Sequence, residues 1–518
     1  MKKQFEQFRP KEFTGNGDKY LFPLISELSK VILHLEKGYF YDTLKLDKNQ
    51  NFVMANLLIE LAEDLHNDIG LWKSIEHYNK TLFNTPLPLF VDDNIEIREC
   101  FDKNRIKFFV YNIFPEFNDE VILSPYHKDL EILANGVSLF LQDKFKNVPK
   151  ESGIMLFLLQ KDEFGWDLKR KLVWVVLNSY LFRNSCYRYA TKNNGGKMDI
   201  ETIDDFICQE NTIWSGLGVI DILAEALKLP EKTQHEVRSW YERLVAIYKV
   251  VSLKNNILEV ENIITEQKYL VRTFTEDNIF KKDYFVFGGI VPYDDYYYWS
   301  GVQRGLGKLN FKQLQKLKGD FVLKSSSIVY RYDKELLSKA QESVKSLYEE
   351  FKSYLKDDLV YFKDGFSMAA AFQMKEKQKY DALSKDELTK IMKENNLKNP
   401  FPNMNLSSDL LNYEKGIGVF FNPTEGMEIM MGFDDITNGL RKNGANLTND
   451  EIIAIQELIF STSISPAFVH RIIARYGHKS IASSFLISTD INCIEFLLHK
   501  YKGHFFRNRY PSISIKIN

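Results

Sequence analysis

Cysteine is scarce in this sequence, and its spacing rules out one kind of chemistry. Among 518 residues there are four cysteines, Cys100, Cys186, Cys208 and Cys493, far apart and none in a CxxC pair. That usage fits a reducing compartment and excludes a cysteine zinc knuckle built within one segment. Long apolar runs are missing too: GIMLFLL at 153–159 and LVWVVL at 172–177 fall far short of the ~20 residues that span a bilayer. The N-terminus, MKKQFEQFRPKEF, carries two lysines with no apolar segment behind them, so no secretory signal and no membrane partner are expected, and the expected location is cytoplasmic. Net charge is nearly absent at −2, which leaves no footprint for nucleic acid unless charge segregates locally. The fingerprints GxSxG, HExxH and a strand-to-helix GxGxxG do not occur, nor do internal repeats, low-complexity linkers or long blocks of like charge.

What is present is the composition of a globular protein, 44% hydrophobic and 27% charged, with 39 Phe and 27 Tyr for packing. The length implies roughly three or four domains. Apolar residues recur at spacings of three and four in NFVMANLLIELAEDLHNDIGLWKSIEHYN (51–79), with Gly70 as a break between two helices, and the prolines of NTPLPLF (84–90) mark a loop. A helix is expected from Ser124 as N-cap with Pro125 at its first position. Another is expected to run unbroken from Asp167 to the Asn-Asn-Gly-Gly stop at 193–196, and IWSGLGVIDILAEALKLP and KTQHEVRSWYERLVAIYKVV read as a further helical pair. The period then changes to two: ILEVENI, KYLVRTF, YFVFGGIV and YYYWSG are short strands joined by tight turns, completed by DFVLKSSSIVYRY (320–332). The expected fold class is therefore α+β, mainly helical, with a small antiparallel β module in the middle. The domains are a helical 1–250, an SH3-like or half-barrel module at 251–335, a helical connector at 336–400 ending near the Pro400–Asn403 loop, and a helical 401–518 with a basic end.

Several motifs bear on chemistry. GVQRGLGK (301–308) departs from a phosphate-binding loop by one extra residue before Gly-Lys, and Leu309 stands where Ser or Thr would hold magnesium, so it reads as a glycine-rich turn. Glu63 and His66 share a helical face at the i, i+3 spacing of di-iron bundles, but no other histidine has an acid three residues before it; no metal and no cofactor are expected. In DDFICQENTIWSGLG (204–218) acids and amides crowd beside Trp214, and two glycines allow close backbone approach. Asp205 and Glu210, with Arg183 on the preceding helix, are the candidate catalytic groups. The alternative reading is helix caps and ion pairs to Lys169, Arg170, Arg183 or Arg188.

Segments LAEDLHNDIGLWKSIEHYN with TPLPLF, WDLKRKLVWVVLNSYLFR and DDFICQENTIWSGLGVIDIL resemble a group of uncharacterised bacterial proteins, some of which end in a SEC-C type cysteine/histidine zinc motif. The resemblance covers the helical 1–250 and the β module and implies no activity. The tail of this chain, YPSISIKIN, has no cysteine, so neither the zinc motif nor any functional residue carries over.

Two surfaces are candidates for binding. DYFVFGGIVPYDDYYYWSG (283–301) holds eight aromatics and three aspartates but no cation, which argues against a base-stacking platform. Strand alternation sets Tyr296 and Tyr298 on one face and Tyr297 and Trp299 on the other, one pair expected in the core and the other either a protein-binding face or, the favoured reading, packed on a neighbouring domain. From Pro466 to the end, eight Lys/Arg face two acids, Asp490 and Glu495. HKYKGHFFRNRY (499–510) interleaves cations with aromatics, so Lys500, Lys502, Phe506, Arg507, Arg509 and Tyr510 are candidate nucleic-acid contacts. The expected function is a non-enzymatic binding or scaffold protein that contacts nucleic acid or protein through the basic end and the β module. The alternative is a hydrolytic enzyme using the acids of 204–218.

Overall fold

The 51–79 pattern folds as two helices, α2 (Lys48–Asn67) and α3 (Leu71–Phe83), preceded by α1 (Asp18–Tyr39). Asp47 and Gln50 close a capping box at the start of α2, and Gly70 turns the chain at φ +102°, a left-handed value that favours glycine. The computed structural model describes residues 6–39, 41–91, 97, 99–118, 121–274, 280–394 and 406–514; the Pro400–Asn403 loop and Lys516 lie outside them. These residues form two units: one holds the chain up to Lys334 with the returning segment Leu486–Arg507, the other Glu335–Phe485 with the residues from Asn508 onward.

In the first unit, α4 (Lys103–Ile113), α5 (Lys128–Lys144) and α6 (Gly153–Leu158) follow. The fifth helix starts later than its Ser-Pro signal suggests. Residues 124–127 close a turn, His127 N–H to the Ser124 carbonyl at 3.1 Å, and the His127 ring caps the helix by accepting from Asp129 N–H. The long helix expected from Asp167 is in fact α7 (Gly165–Asn178) and α8 (Arg183–Asn194). No glycine or proline breaks it. The break is held by tertiary hydrogen bonds instead: the Tyr180 hydroxyl donates to buried Asp64 at 2.7 Å, and Trp214 Nε1 donates to the Leu181 carbonyl at 2.8 Å. After α9 (Ile200–Gln209), α10 (Val219–Ala226) and α11 (Glu231–Arg238), the segment expected to continue as helix turns into strand: LVAIYKVV is rich in β-branched residues, and Ala246, Tyr248 and Val250 enter the barrel core. The core of this helical part is aromatic: Trp214 stacks on Phe109 at 5.6 Å and meets Trp72 edge-on at 5.7 Å.

The β module is β1 (Leu244–Lys254), β2 (Ile257–Asn262), β3 (Lys268–Arg272), β4 (Phe285–Tyr293) and β5 (Tyr296–Gly307), closed as a barrel in the order β1-β2-β3-β5-β4. β1 pairs with both β2 and β4, and only β3·β5 is parallel. This is a closed five-stranded Greek key of OB type, where a half-barrel was expected. Residues 301–307 of GVQRGLGK are the end of β5, where a glycine-rich turn was expected. Segment 320–332 adds no strand: α12 (Phe311–Lys324), capped by Asn310, lays Leu314 and Leu317 on the barrel residues Ile247, Phe285 and Phe287, and a further helical turn spans Ser326–Val329. Tyr297 and Trp299 pack with the barrel core of Tyr248, Tyr269 and Val286, and Tyr298 faces α7.

The second unit contains α13 (Lys334–Leu355), β6 (Leu359–Phe362), α14 (Gly365–Asp381), α15 (Lys385–Glu394), β7 (Ile417–Asn422), β8 (Gly426–Met431), α16 (Phe433–Arg441), α17 (Asn449–Phe460), α18 (Pro466–Tyr476) and α19 (Lys479–Ser484). Its antiparallel sheet, ordered β6-β7-β8, was not expected in a helical region. All six residues of β7, IGVFFN, are buried, so the strand has no alternation to read. The last helix, α20 (Ile491–Lys502), belongs to the first unit. Among the described residues no helix is long and apolar enough to cross a membrane.

Candidate functional site

Helix α7 begins on the barrel. A Cβ on Gly165 would stand 2.8 Å from the Tyr298 ring, so glycine lets the first turn approach this closely. Asp167 fixes that turn by accepting from Glu163 N–H at 3.1 Å and Phe164 N–H at 3.0 Å. Trp166 then meets Phe164, Tyr298 (5.1 Å, edge-on) and Phe274, whose ring is two-thirds exposed at 67%. Opposite lies Arg272, the last residue of β3, its guanidinium 4.3 Å from the centre of the Tyr296 ring and 5.1 Å from that of Phe164. Among the described residues Arg272 makes no ion pair, and its buried Nε has no hydrogen-bond acceptor; Trp299 Nε1 is likewise a buried donor without a partner. Trp166, Arg272, Phe274, Tyr298 and Trp299 line a cleft of about 230 Å³, and Lys169 is part of its wall.

Behind the cleft is an ion-pair cluster that ties helix to barrel. Buried Asp204 on α9 accepts from Lys169 of α7, from Arg243 just before β1, and from the Ser300 hydroxyl of β5 at 2.9 Å. Arg243 also reaches Asp205. Two cations and a hydroxyl on one buried carboxylate make this a fully paired structural joint.

The three candidate catalytic groups are not brought together. Asp205 is held by Arg243 and by Gln209 Nε2 at 3.1 Å. Arg183 is buried in the helical core, ion-paired with Glu60 and stacked 4.3 Å over the Phe8 ring. Glu210 caps the end of α9; burial pushes its carboxyl above the usual range, with Lys192 and Arg507 opposing. The close approach expected of the 204–218 glycines serves packing: a Cβ on Gly216 (φ +73°) would sit 2.0 Å from the His499 carbonyl oxygen, so this loop seats α20. Glu63 pairs with Arg9 and accepts from Ser152, and the His66 ring lies 2.9 Å from the Val148 carbonyl.

The basic segment is divided and largely paired. Lys500 and Lys502 are buried, not displayed to solvent as a phosphate-contacting surface requires. The Lys500 ammonium lies 4.8 Å from the Tyr111 ring centre, and burial pulls its pKa down to about 7. Phe506, 40% exposed, stacks on His499. Arg507 lies 3.7 Å over the Tyr241 ring and donates to the carbonyls of Gln209 (3.2 Å) and Glu210 (3.1 Å). Arg509 and half-buried Tyr510 belong to the second unit, where Arg509 pairs with Glu425 at 2.6 Å. The residues that sequence reasoning missed are Trp166, Arg272 and Phe274. The available signal was the alternation in KYLVRTF, which sets Lys268, Leu270 and Arg272 on the outer face of β3.

A family model described as a protein of unknown function (DUF3843) matches residues 3–213. The match takes in Trp166, Lys169, Asp204 and Asp205 and stops before the barrel. No curated protein and no solved structure matches the chain. Over its helical part the chain is thus similar to an uncharacterised family.

Proposed function

We propose that this chain is a non-catalytic binding protein whose ligand-contacting surface is the cleft between α7 and the barrel. The ligand chemistry that fits is a planar ring carrying negative charge, as in a nucleotide. The observation that carries this reading is Arg272: a guanidinium lying against two aromatic rings, without a carboxylate among the described residues, in the lining of an aromatic cleft. Such a cation offers charge and a flat face to an anionic ring, and Trp166 and Phe274 offer stacking surfaces worth ~1–3 kcal/mol per base. The size, about 230 Å³, suits one ring rather than an extended small molecule. The OB-type connectivity is compatible with oligonucleotide or sugar ligands, but a fold alone assigns no function. The outer face of β2 and β3 sets Glu259 and Glu261 beside Lys268 and Arg272, a balanced charge that favours the cleft over a continuous backbone-tracking groove.

The test is a tryptophan-fluorescence titration of the full chain with nucleoside monophosphates and with a short single-stranded oligonucleotide. Saturable quenching that disappears in Trp166→Ala and weakens at least tenfold in Arg272→Ala supports the reading. Quenching by none of these ligands removes it.

A further inference from the structure

A second cleft, which shares no lining residue with the first, lies between α1 and the start of α2. It is the larger of the two, about 820 Å³, and its character differs. Its floor is apolar, formed by Leu33 (37% exposed), Phe52 and Val53 (40% exposed), and its rim carries Lys30, Lys37 and Lys48. Among the described residues none that lines it is acidic. Among the described residues none of the three lysines makes an ion pair; of the acids nearby in sequence, Glu27 pairs with Lys144 at 2.9 Å, Asp47 accepts from the amides of Asn49 and Gln50, and Glu36, next to Lys37, has its Oε2 buried.

The spacing along α1 selects an occupant. Lys30, Leu33 and Lys37 stand at i, i+3 and i+7, so two cations one heptad apart, about 10 Å along the axis, bracket one exposed leucine. The lining residues of α1 run from Ser26 to Lys37, about three turns. A partner helix with an acid, an apolar residue and an acid at the same spacing would place its apolar side chain beside Leu33 and Val53 and its carboxylates beside the lysines. We propose that this groove docks an acidic amphipathic helix of a partner protein. A fatty acid or other anionic amphiphile has one charged end and does not use cations repeated at heptad spacing.

The proposal is tested with a labelled peptide of about 18 residues, long enough to hold helix, in which Glu, Leu and Glu recur at i, i+3 and i+7 on an alanine background. Anisotropy of the peptide is followed as the full chain is added. Saturable binding is expected, weakening several-fold between about 50 and 300 mM salt. It should weaken at least tenfold in Lys30→Glu/Lys37→Glu, whose exposed positions leave the fold unchanged by circular dichroism. Arg272→Ala should bind the peptide like the wild type, which separates this groove from the barrel cleft. Undetectable binding at about 1 mM protein, equal binding of the double variant, or equal binding of a peptide with Lys for Glu would overturn the proposal. So would loss of the peptide signal alongside charge-dependent binding to vesicles containing anionic phospholipid, which would make the face a membrane contact.

Discussion

The basic C-terminal segment and the barrel cleft hold the same kinds of side chain, arginine or lysine beside aromatic rings, and the fold treats them in opposite ways. In the segment 499–510 the cations are conspicuous in sequence, yet Lys500 and Lys502 are buried, Arg507 is bonded to backbone carbonyls and Arg509 to Glu425. At the cleft a single arginine attracts no notice in sequence, yet Arg272 lies against two rings and, among the described residues, pairs with no carboxylate. Local cation density is therefore a poor guide to binding surface. What decides is whether the fold has already supplied each cation with a partner.

The comparison is sharpest where a paired charge is stranded. Asp204→Ala removes the buried carboxylate that Lys169 and Arg243 share, leaving Lys169 without its acid while Arg243 keeps Asp205, and Arg183→Ala leaves buried Glu60 without its ion-pair partner. Each should cost about 3–5 kcal/mol in chemical denaturation, because an uncompensated buried charge is expensive. A loss below about 1 kcal/mol would mean that these joints are solvated and that the distinction between paired and open cations fails.

A second test asks whether Lys500 is buried in solution. Its folded pKa of about 7 lies below the ordinary lysine value, so the unfolded chain binds more protons between about pH 7 and 10, and stability must rise with pH across that window. The full effect is on the order of 4 kcal/mol. Lys500→Met should abolish the slope. A wild type with no such slope would return Lys500 to the surface and reopen the segment as a phosphate contact.

Asp64 gives the same argument with the opposite sign. Burial raises its carboxyl to about 6, so the folded chain holds the proton more tightly. Stability from this group is fully present below about pH 4 and is lost as pH rises through 6, about 3 kcal/mol in all. Asp64→Asn should flatten that part of the profile. The smallest effect is expected at Arg509→Ala, below about 1 kcal/mol, because its pair with Glu425 is partly exposed.

Much of the architecture could be read from sequence because local signals and tertiary context agree. The Gly70 break and the short strands between Ile257 and Gly301 are set by turn residues and periodicity within one element. What could not be read was set from elsewhere. The α7–α8 break depends on Asp64 and Trp214, far away in the chain. β7 is buried on both faces and shows no alternation, and the apolar face of 311–324 rests on a barrel that a local reading does not supply. The candidate site is harder still. Asp205 and Arg183 are noticeable as charges, but their partners Arg243 and Glu60 lie 38 and 123 residues away in sequence, beyond any spacing rule.

The most direct test places both regions in one experiment: the affinity of the full chain for a nucleoside monophosphate, measured by calorimetry for the wild type, Arg272→Ala, Lys500→Met and Arg509→Ala. The account predicts that Arg272→Ala loses at least tenfold while the other two bind as the wild type does. Binding unchanged in Arg272→Ala but lost in Lys500→Met or Arg509→Ala would contradict it and assign the ligand to the basic segment.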